Sequence, residues 1–364
     1  MRERSRLVLS TVFAALLLVG CASKPSDPRL PLGVNVGWVV QGPPALVSMT
    51  PTEAALVHST GAGLARVEFR TTPFFNQTSA AFYEDYGQVI ANLAAQHVQV
   101  LGLIDYTTVP GGQSAWTVNG ATGRLTSGAN AYTEQFATTA AAIMKHFQGQ
   151  VQYWEIWNEP NASTQENDGV DTGGTFMYPN NYAALLQETY HQAVAVDHLN
   201  VVIVSAGLLG GAYGGVYSAA NSGANYLQSV FECWQAQKVS PYPLDAVGQH
   251  LYIAQGGVAG SLVTQSQVQE YLNWVHEVPI AFGMKNVPTF LTEVGWNSHQ
   301  VGSSDKAENL ATALGVAEKT PYVHALVWYN LQSAGTADYG LFRSNGTPSL
   351  ALANYKKIAA SWGS

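Results

Sequence analysis

Eight short runs rich in apolar and β-branched residues punctuate the chain, at 31–40, 64–70, 98–106, 151–157, 200–207, 245–252, 287–296 and 323–331. Several are nearly continuous in hydrophobicity, such as "VQVLGLIDY" and "VHALVWYNL", as strands covered on both faces should be. Between them lie longer stretches whose apolar residues recur at three- and four-residue steps, the spacing of a helix face. The first, "TPTEAALVHSTG", carries its own signals: Thr50 as cap, Pro51 in the first turn and Gly61 as stop. Seven more begin near residues 80, 131, 180, 224, 266, 306 and 349. Strands that alternate with helices pair in parallel, and eight such units close a (β/α)8 barrel, the TIM-barrel class of α/β fold. The competing arrangement is an open doubly wound sheet. No G-x-G-x-x-G follows the first strand to furnish a nucleotide crevice, and the even spacing of the units favours closure. The pattern predicts a single barrel domain over 32–362.

Composition narrows the picture. At 364 residues the chain fits one barrel, and with 47% hydrophobic and 11% charged residues it can build a large core. A net charge of −8, with no basic run beyond the N-terminus, gives no electrostatic footprint for nucleic acid. That N-terminus reads as a targeting segment: basic "MRERSR", apolar "LVLSTVFAALLLVG", then Cys21. The apolar core is short for a membrane span. "LVGC" resembles a bacterial lipobox, which implies a signal peptide over 1–21, a lipidated Cys21 and a Pro-rich tether over 22–31. The expectation is an exported, membrane-anchored bacterial lipoprotein, at the outer membrane or cell surface. An ordinary cleaved signal or a short membrane anchor is the alternative. Cys233 lies at helical spacing among apolar neighbours, so a buried free thiol is expected, with no disulfide framework and no Cys-based metal site.

In a barrel of this class chemistry sits at the C-terminal ends of the strands. Those ends offer Arg66, Glu68 and Arg70 on the second run, and Asp105 and Tyr106 on the third. The fourth offers Asn158 and Glu159, the sixth His250 and Tyr252. The seventh offers Glu293, Trp296 and Asn297, and the eighth Trp328 and Asn330. Glu159 and Glu293 stand out, because strands four and seven face each other across a barrel. A carboxylate pair over one cleft is what glycosidic cleavage needs: one acid to protonate the leaving oxygen, one carboxylate to attack the anomeric carbon. Glu155 shares a strand face with Glu159 under period two and is expected to be a buried support. No cluster with metal-ligand spacing competes, so neither metal nor cofactor is expected. Loop aromatics Trp38, Trp116, Tyr213, Tyr217, Tyr339 and Phe342 are candidates for further sugar contacts.

"WEIWNEPN" and "FLTEVGW" resemble the strand-four and strand-seven signatures of glycoside hydrolase clan A, retaining β-glycosidases on TIM barrels, with families 5 and 39 the most similar. The resemblance spans roughly residues 31 to 362. It implies Glu159 as acid/base and Glu293 as nucleophile. It implies Asn158 at the sugar 2-hydroxyl, Arg66 and Tyr252 on the nucleophile, His250 lining the same subsite and Trp328 flooring it. Trp296 is a further candidate for sugar contact. One departure stands out: many family 5 members carry a His-Asn pair after strand three, where this chain has "IDYTT". Asp105 or Tyr106 stands in that place. The resemblance implies a carbohydrate substrate; a tethered monomer is expected, and the long loops after strands three to five point to an extended cleft and endo action on polysaccharide, with exo action in a blocked pocket as the alternative. A non-catalytic glycan binder and a transglycosylase remain the alternatives.

Overall fold

The computed structural model describes residues 29–37, 40–41, 46–71, 79–109, 111, 116, 125–162, 175–209, 222–253, 262–334 and 337–362. The lipidation candidate Cys21, most of the tether, Trp38, Tyr213 and Tyr217 lie outside the described residues. Among the described residues no helix is long and apolar enough to cross a membrane.

All eight strand signals become strands. They are β1 (Gly33–Asn35), β2 (Leu64–Glu68), β3 (Gln99–Ile104), β4 (Tyr153–Asn158), β5 (Val202–Leu209), β6 (Val247–Leu251), β7 (Thr289–Val294) and β8 (Val323–Trp328). Each pairs in parallel with its sequence neighbours, and β1 pairs with both β2 and β8, which closes the barrel. The alternation of strand and helix therefore resolves as closure, not as an open sheet.

The eight helical stretches are also helices: α1 (Pro51–Ser59), α2 (Ser79–Ala95), α3 (Ala131–His146), α4 (Pro179–Tyr190), α5 (Gly223–Ala236), α6 (Gln265–Ala281), α7 (Ser303–Lys319) and α8 (Leu350–Ala359). Thr50 caps α1 in a full capping box with Glu53, and Gly61 follows at φ 88°, where a side chain would be strained. The helical stretch from residue 180 continues past α4 as a π-helical turn over His191–Val196, and among the described residues an antiparallel ribbon of Val40–Gln41 with Leu46–Val47 and a one-turn helix Ser298–Val301 escaped the pattern.

Two apolar bodies result. One fills the shell between barrel and helices. The other plugs the barrel's lower interior with Leu64, Leu101, Tyr153, Phe290 and Val327. Period two then lifts the next inward residue of each strand one layer higher. Above Leu64 comes Arg66, above Tyr153 comes Glu155, and above Phe290 comes Thr292, all three buried. An apolar plug thus carries a polar layer, and the polar layer carries the cleft. Cys233 is a buried thiol outside any disulfide, as expected.

Candidate active site

β4 delivers the acid. Its alternation breaks at the top, where Trp157 and Glu159 take left-handed backbone angles, φ 76° and 47°. Such angles cost a bulky residue free energy, on the order of 1–3 kcal/mol each. Trp157 turns outward, within 5.8 Å of the Phe136 ring on α3, and its indole N–H donates to the Thr175 carbonyl. Asn158 and Glu159 are thereby both free to serve the cleft. The loop beyond is clamped by Asn161, whose side-chain amide donates to the Leu209 carbonyl and whose Oδ1 accepts from the Leu209 N–H.

Glu293, at the end of β7, is surrounded by donors. Arg66 Nη1 donates to its Oε1 at 2.6 Å, and Asn35 Nδ2 to the same oxygen at 3.4 Å. The Tyr252 hydroxyl donates to Oε2. Burial, then the charges of Glu293 and Glu159, push the Tyr252 phenol well above its ordinary range, so it remains a donor. Arg66 serves three acceptors at once: Glu155 Oε2 through Nε at 2.6 Å, Glu293, and Asn158 Oδ1 through Nη2 at 2.9 Å. Burial alone would lower its guanidinium, but Glu155 and Glu293 outweigh that and raise it. Glu155, fully buried, also accepts from Thr292 Oγ1 at 2.8 Å and from the Gly207 N–H at 2.9 Å. It is the expected buried support.

His250 completes the centre. Its Nδ1 lies 2.7 Å from Glu159 Oε1 and 3.8 Å from Glu293 Oε2. Desolvation would lower its pKa, but the Glu293 charge and the Glu159 hydrogen bond more than compensate and raise it. One ligand atom each from Glu159, His250 and Glu293 lies within 4.8 Å of the others. A cation would find the Glu293 oxygens already accepting from Arg66 and Tyr252, with the guanidinium opposing it. The geometry is that of an acid–base cluster.

Beside Glu293 opens a cavity of about 340 Å³. Asn35, Arg66, Asn158 and Tyr329 line it near the carboxylate, and Glu68, Arg70, Asp105 and Tyr106 form its far wall. Six of the expected site residues, Glu159, Glu293, Arg66, Asn158, His250 and Tyr252, therefore converge.

Trp328 and Trp296 do not join them. Both are fully buried. Trp328 donates its indole N–H to the Tyr339 carbonyl at 3.1 Å, and Trp296 donates to the Ile253 carbonyl at 2.6 Å. Their rings lie 6.1 Å apart, one against the other. They brace the loops around the cleft; Trp328, expected on its floor, is buried and does not line the cavity, whereas Tyr329, one residue on, does. Trp116 and Phe342 are likewise buried, while Tyr339 sits by the site, 6.1 Å from the Tyr252 ring. Asn35 and Tyr329 carry no signal of their own in the sequence: Asn35 lies inside the apolar run 31–40, and Tyr329 lies between Trp328 and Asn330, which mark the end of the eighth run.

No family model matches the sequence, and no curated protein matches it. Solved structures share its fold. A family 39 glycoside hydrolase from the gut symbiont Bacteroides cellulosilyticus WH2 superposes with a TM-score of 0.57 at 16% identity, over 92% of this chain and 64% of its own. The chain thus spans just under two thirds of that protein. A GH5_18 protein from Streptomyces cattleya, solved with GlcNAc, gives a TM-score of 0.64 at 13% identity, over 92% of this chain and 81% of its own. A family 5 xyloglucanase from Paenibacillus pabuli gives 0.62 at 15% identity, over 92% and 99%. The likeness establishes the fold, a (β/α)8 barrel of the kind found in glycoside hydrolases of families 5 and 39.

Proposed function

We propose that the protein is a retaining glycoside hydrolase acting on β-linked sugars of an oligosaccharide or polysaccharide. One observation carries this reading: carboxylate oxygens of Glu159 and Glu293 lie within 4.8 Å of each other. Retaining enzymes hold their carboxyl groups about 5–5.5 Å apart, whereas inverting enzymes need about 6.5–9.5 Å to admit a water. The solved structures of similar fold, titled as family 5 and 39 glycoside hydrolases, support it.

The steps follow from the donors around each carboxylate. Glu293, its charge matched by Arg66 and oriented by Tyr252, attacks the anomeric carbon as the glycosidic bond breaks. Glu159 gives its proton to the departing oxygen. A glycosyl ester on Glu293 results. Glu159, now a carboxylate, takes a proton from water as that water attacks the anomeric carbon and releases Glu293. His250, 2.7 Å from Glu159, fixes the direction in which that carboxyl points. Endo action on a polymer is part of this proposal, on the strength of the long segments that follow strands three to five in the sequence. So is the lipid anchor at Cys21, on the strength of the "LVGC" segment.

The test is a screen of β-linked glycans with wild-type protein and Glu293→Ala, followed by added azide. Wild type should release a product of retained configuration, and azide should restore turnover to Glu293→Ala as a glycosyl azide of inverted configuration. An inverted wild-type product, or full activity in both Glu159→Ala and Glu293→Ala, would sink the reading.

A further inference from the structure

The far wall of the cavity is where this chain departs from the family 5 pattern, and its hydrogen bonding is incomplete. Asp105 is 2% exposed. Its Oδ1 accepts from both the N–H and the hydroxyl of Thr107, each at 2.7 Å. The same hydroxyl lies 3.0 Å from Glu68 Oε1. A threonine has one hydroxyl hydrogen, so two carboxylates compete for it. Asp105 Oδ2 receives no hydrogen bond among the described residues, while Asp105 lines the cavity. Across the same cavity Asn330 Oδ1 is also buried without a donor. Two acceptors on this cavity thus lack a donor, and a sugar hydroxyl is a source of one.

Charge narrows the choice of ring. Arg70 Nη2 is paired with Glu68 Oε2 at 2.5 Å. Burial and the neighbouring Glu68 charge push the Asp105 carboxyl up to about 7. Near neutral pH the wall is therefore close to electrically balanced. A ring carboxylate has no hydrogen to give Asp105 Oδ2, and an ammonium meets the Arg70 guanidinium on the same wall. A neutral hydroxyl fits.

Building on the glycosidase reading, we propose that Asp105 and Glu68 are specificity-determining residues: they accept hydroxyl hydrogens from an uncharged sugar ring seated beside Glu293, and they turn away a ring bearing a carboxylate. The role belongs to side chains of this chain, at the place where a His-Asn pair would offer a different set of hydrogen bonds.

Three β-1,4-linked tetramers share one backbone and differ in one substituent: those of glucose, of glucosamine and of glucuronate. Their binding is measured by calorimetry to the full chain carrying Glu159→Gln, which blocks turnover. The glucose tetramer should bind most tightly. Adding Asp105→Asn should weaken it by about tenfold or more, the worth of a hydrogen bond to a charged group, and should narrow its margin over the glucuronate tetramer. Glu68→Gln should act in the same direction, and thermal melts confirm that each variant is folded. Unchanged binding in both variants, equal or tighter binding of either charged tetramer, or binding of none of the three overturns the proposal. Binding that depends on Asp105, with no cleavage by wild type, would overturn the glycosidase reading and leave this one standing.

Discussion

Arg66 shows how much one side chain can organise. It was legible in "LARVEFR" as a strand-end arginine, but its reach to Glu155, Glu293 and Asn158 together was not, because a pattern in sequence does not give distances across a barrel. Only a planar guanidinium presents donors to three acceptors in this way. Arg66→Ala leaves Glu155 buried without its cation, which should cost about 3–5 kcal/mol in urea unfolding. Arg66→Lys keeps a charge and loses the fork. It should stay closer to wild type in stability while kcat falls about 100-fold, since small misplacements of a nucleophile are costly. Full activity in Arg66→Lys would mean that Glu293 does not depend on the fork. Asp105 poses the opposite case, a residue that costs the fold. Its carboxyl is pushed from 3.8 up to about 7 by burial first and by Glu68 second. The folded protein thus keeps a proton that the unfolded chain gives up. Stability should fall as pH rises from about 4 to 7, and above that range the full cost applies, about 2–4 kcal/mol. Asparagine does not titrate, so Asp105→Asn should match wild type near pH 4 and exceed it by that amount at pH 8, read from urea midpoints at each pH. Equal midpoints at pH 8 would contradict it. The variant should therefore gain stability where it loses sugar binding, as expected of a residue kept for a site.

At the scale of elements, hydrophobic periodicity carried the fold well, because parallel strands and amphipathic helices each have a period that side-chain burial enforces. What it could not carry was the shape of the strand tops. Trp157 and Glu159 adopt positive φ at and just past the end of a run that reads as regular strand, and only the packing of Trp157 against α3 and the contact of Glu159 with His250 explain why. Gly207 on β5 is a second case. It read as the end of an apolar run, with no sign that its missing side chain mattered. A Cβ there would lie 2.1 Å from His250 Nε2 and 2.5 Å from Thr292 Oγ1. The glycine makes room for the imidazole that faces Glu159, while its own N–H holds Glu155. Gly207→Ala must push His250 or bend β5, an overpacking that should cost about 1–3 kcal/mol. Because the displaced ring is the one against Glu159, kcat should drop as well, whereas a purely structural fault would lower only the melting temperature. Unaltered His250 ring shifts by NMR, together with wild-type kcat, would show that the strand absorbs the methyl without moving the site.

At the scale of the molecule, the two ends of the barrel have separate tasks. The chain enters at the lower end. Arg29 donates to the carbonyls of Glu318 and Thr320, at the C-terminal end of α7, and its guanidinium lies 5.1 Å from the Trp362 ring centre. The Leu30 N–H donates to the His324 carbonyl at the start of β8, and the Trp362 indole donates back to the Leu30 carbonyl. The cleft lies at the other end, a strand length of about 20 Å away. If Cys21 carries a lipid as proposed, residues 22–28 span at most about 25 Å when extended, and the cleft faces away from the bilayer. A polymer could then enter without meeting the membrane, and the anchor would set location, not chemistry. Cys21→Ser should abolish incorporation of labelled fatty acid and move the protein from the membrane pellet to the soluble fraction. On a short soluble oligosaccharide its kcat/KM should stay within about twofold of wild type, because diffusion of a small substrate to an outward cleft is indifferent to the anchor. A large change in kcat/KM on that substrate would mean that the membrane takes part in the site, and the outward orientation would fall.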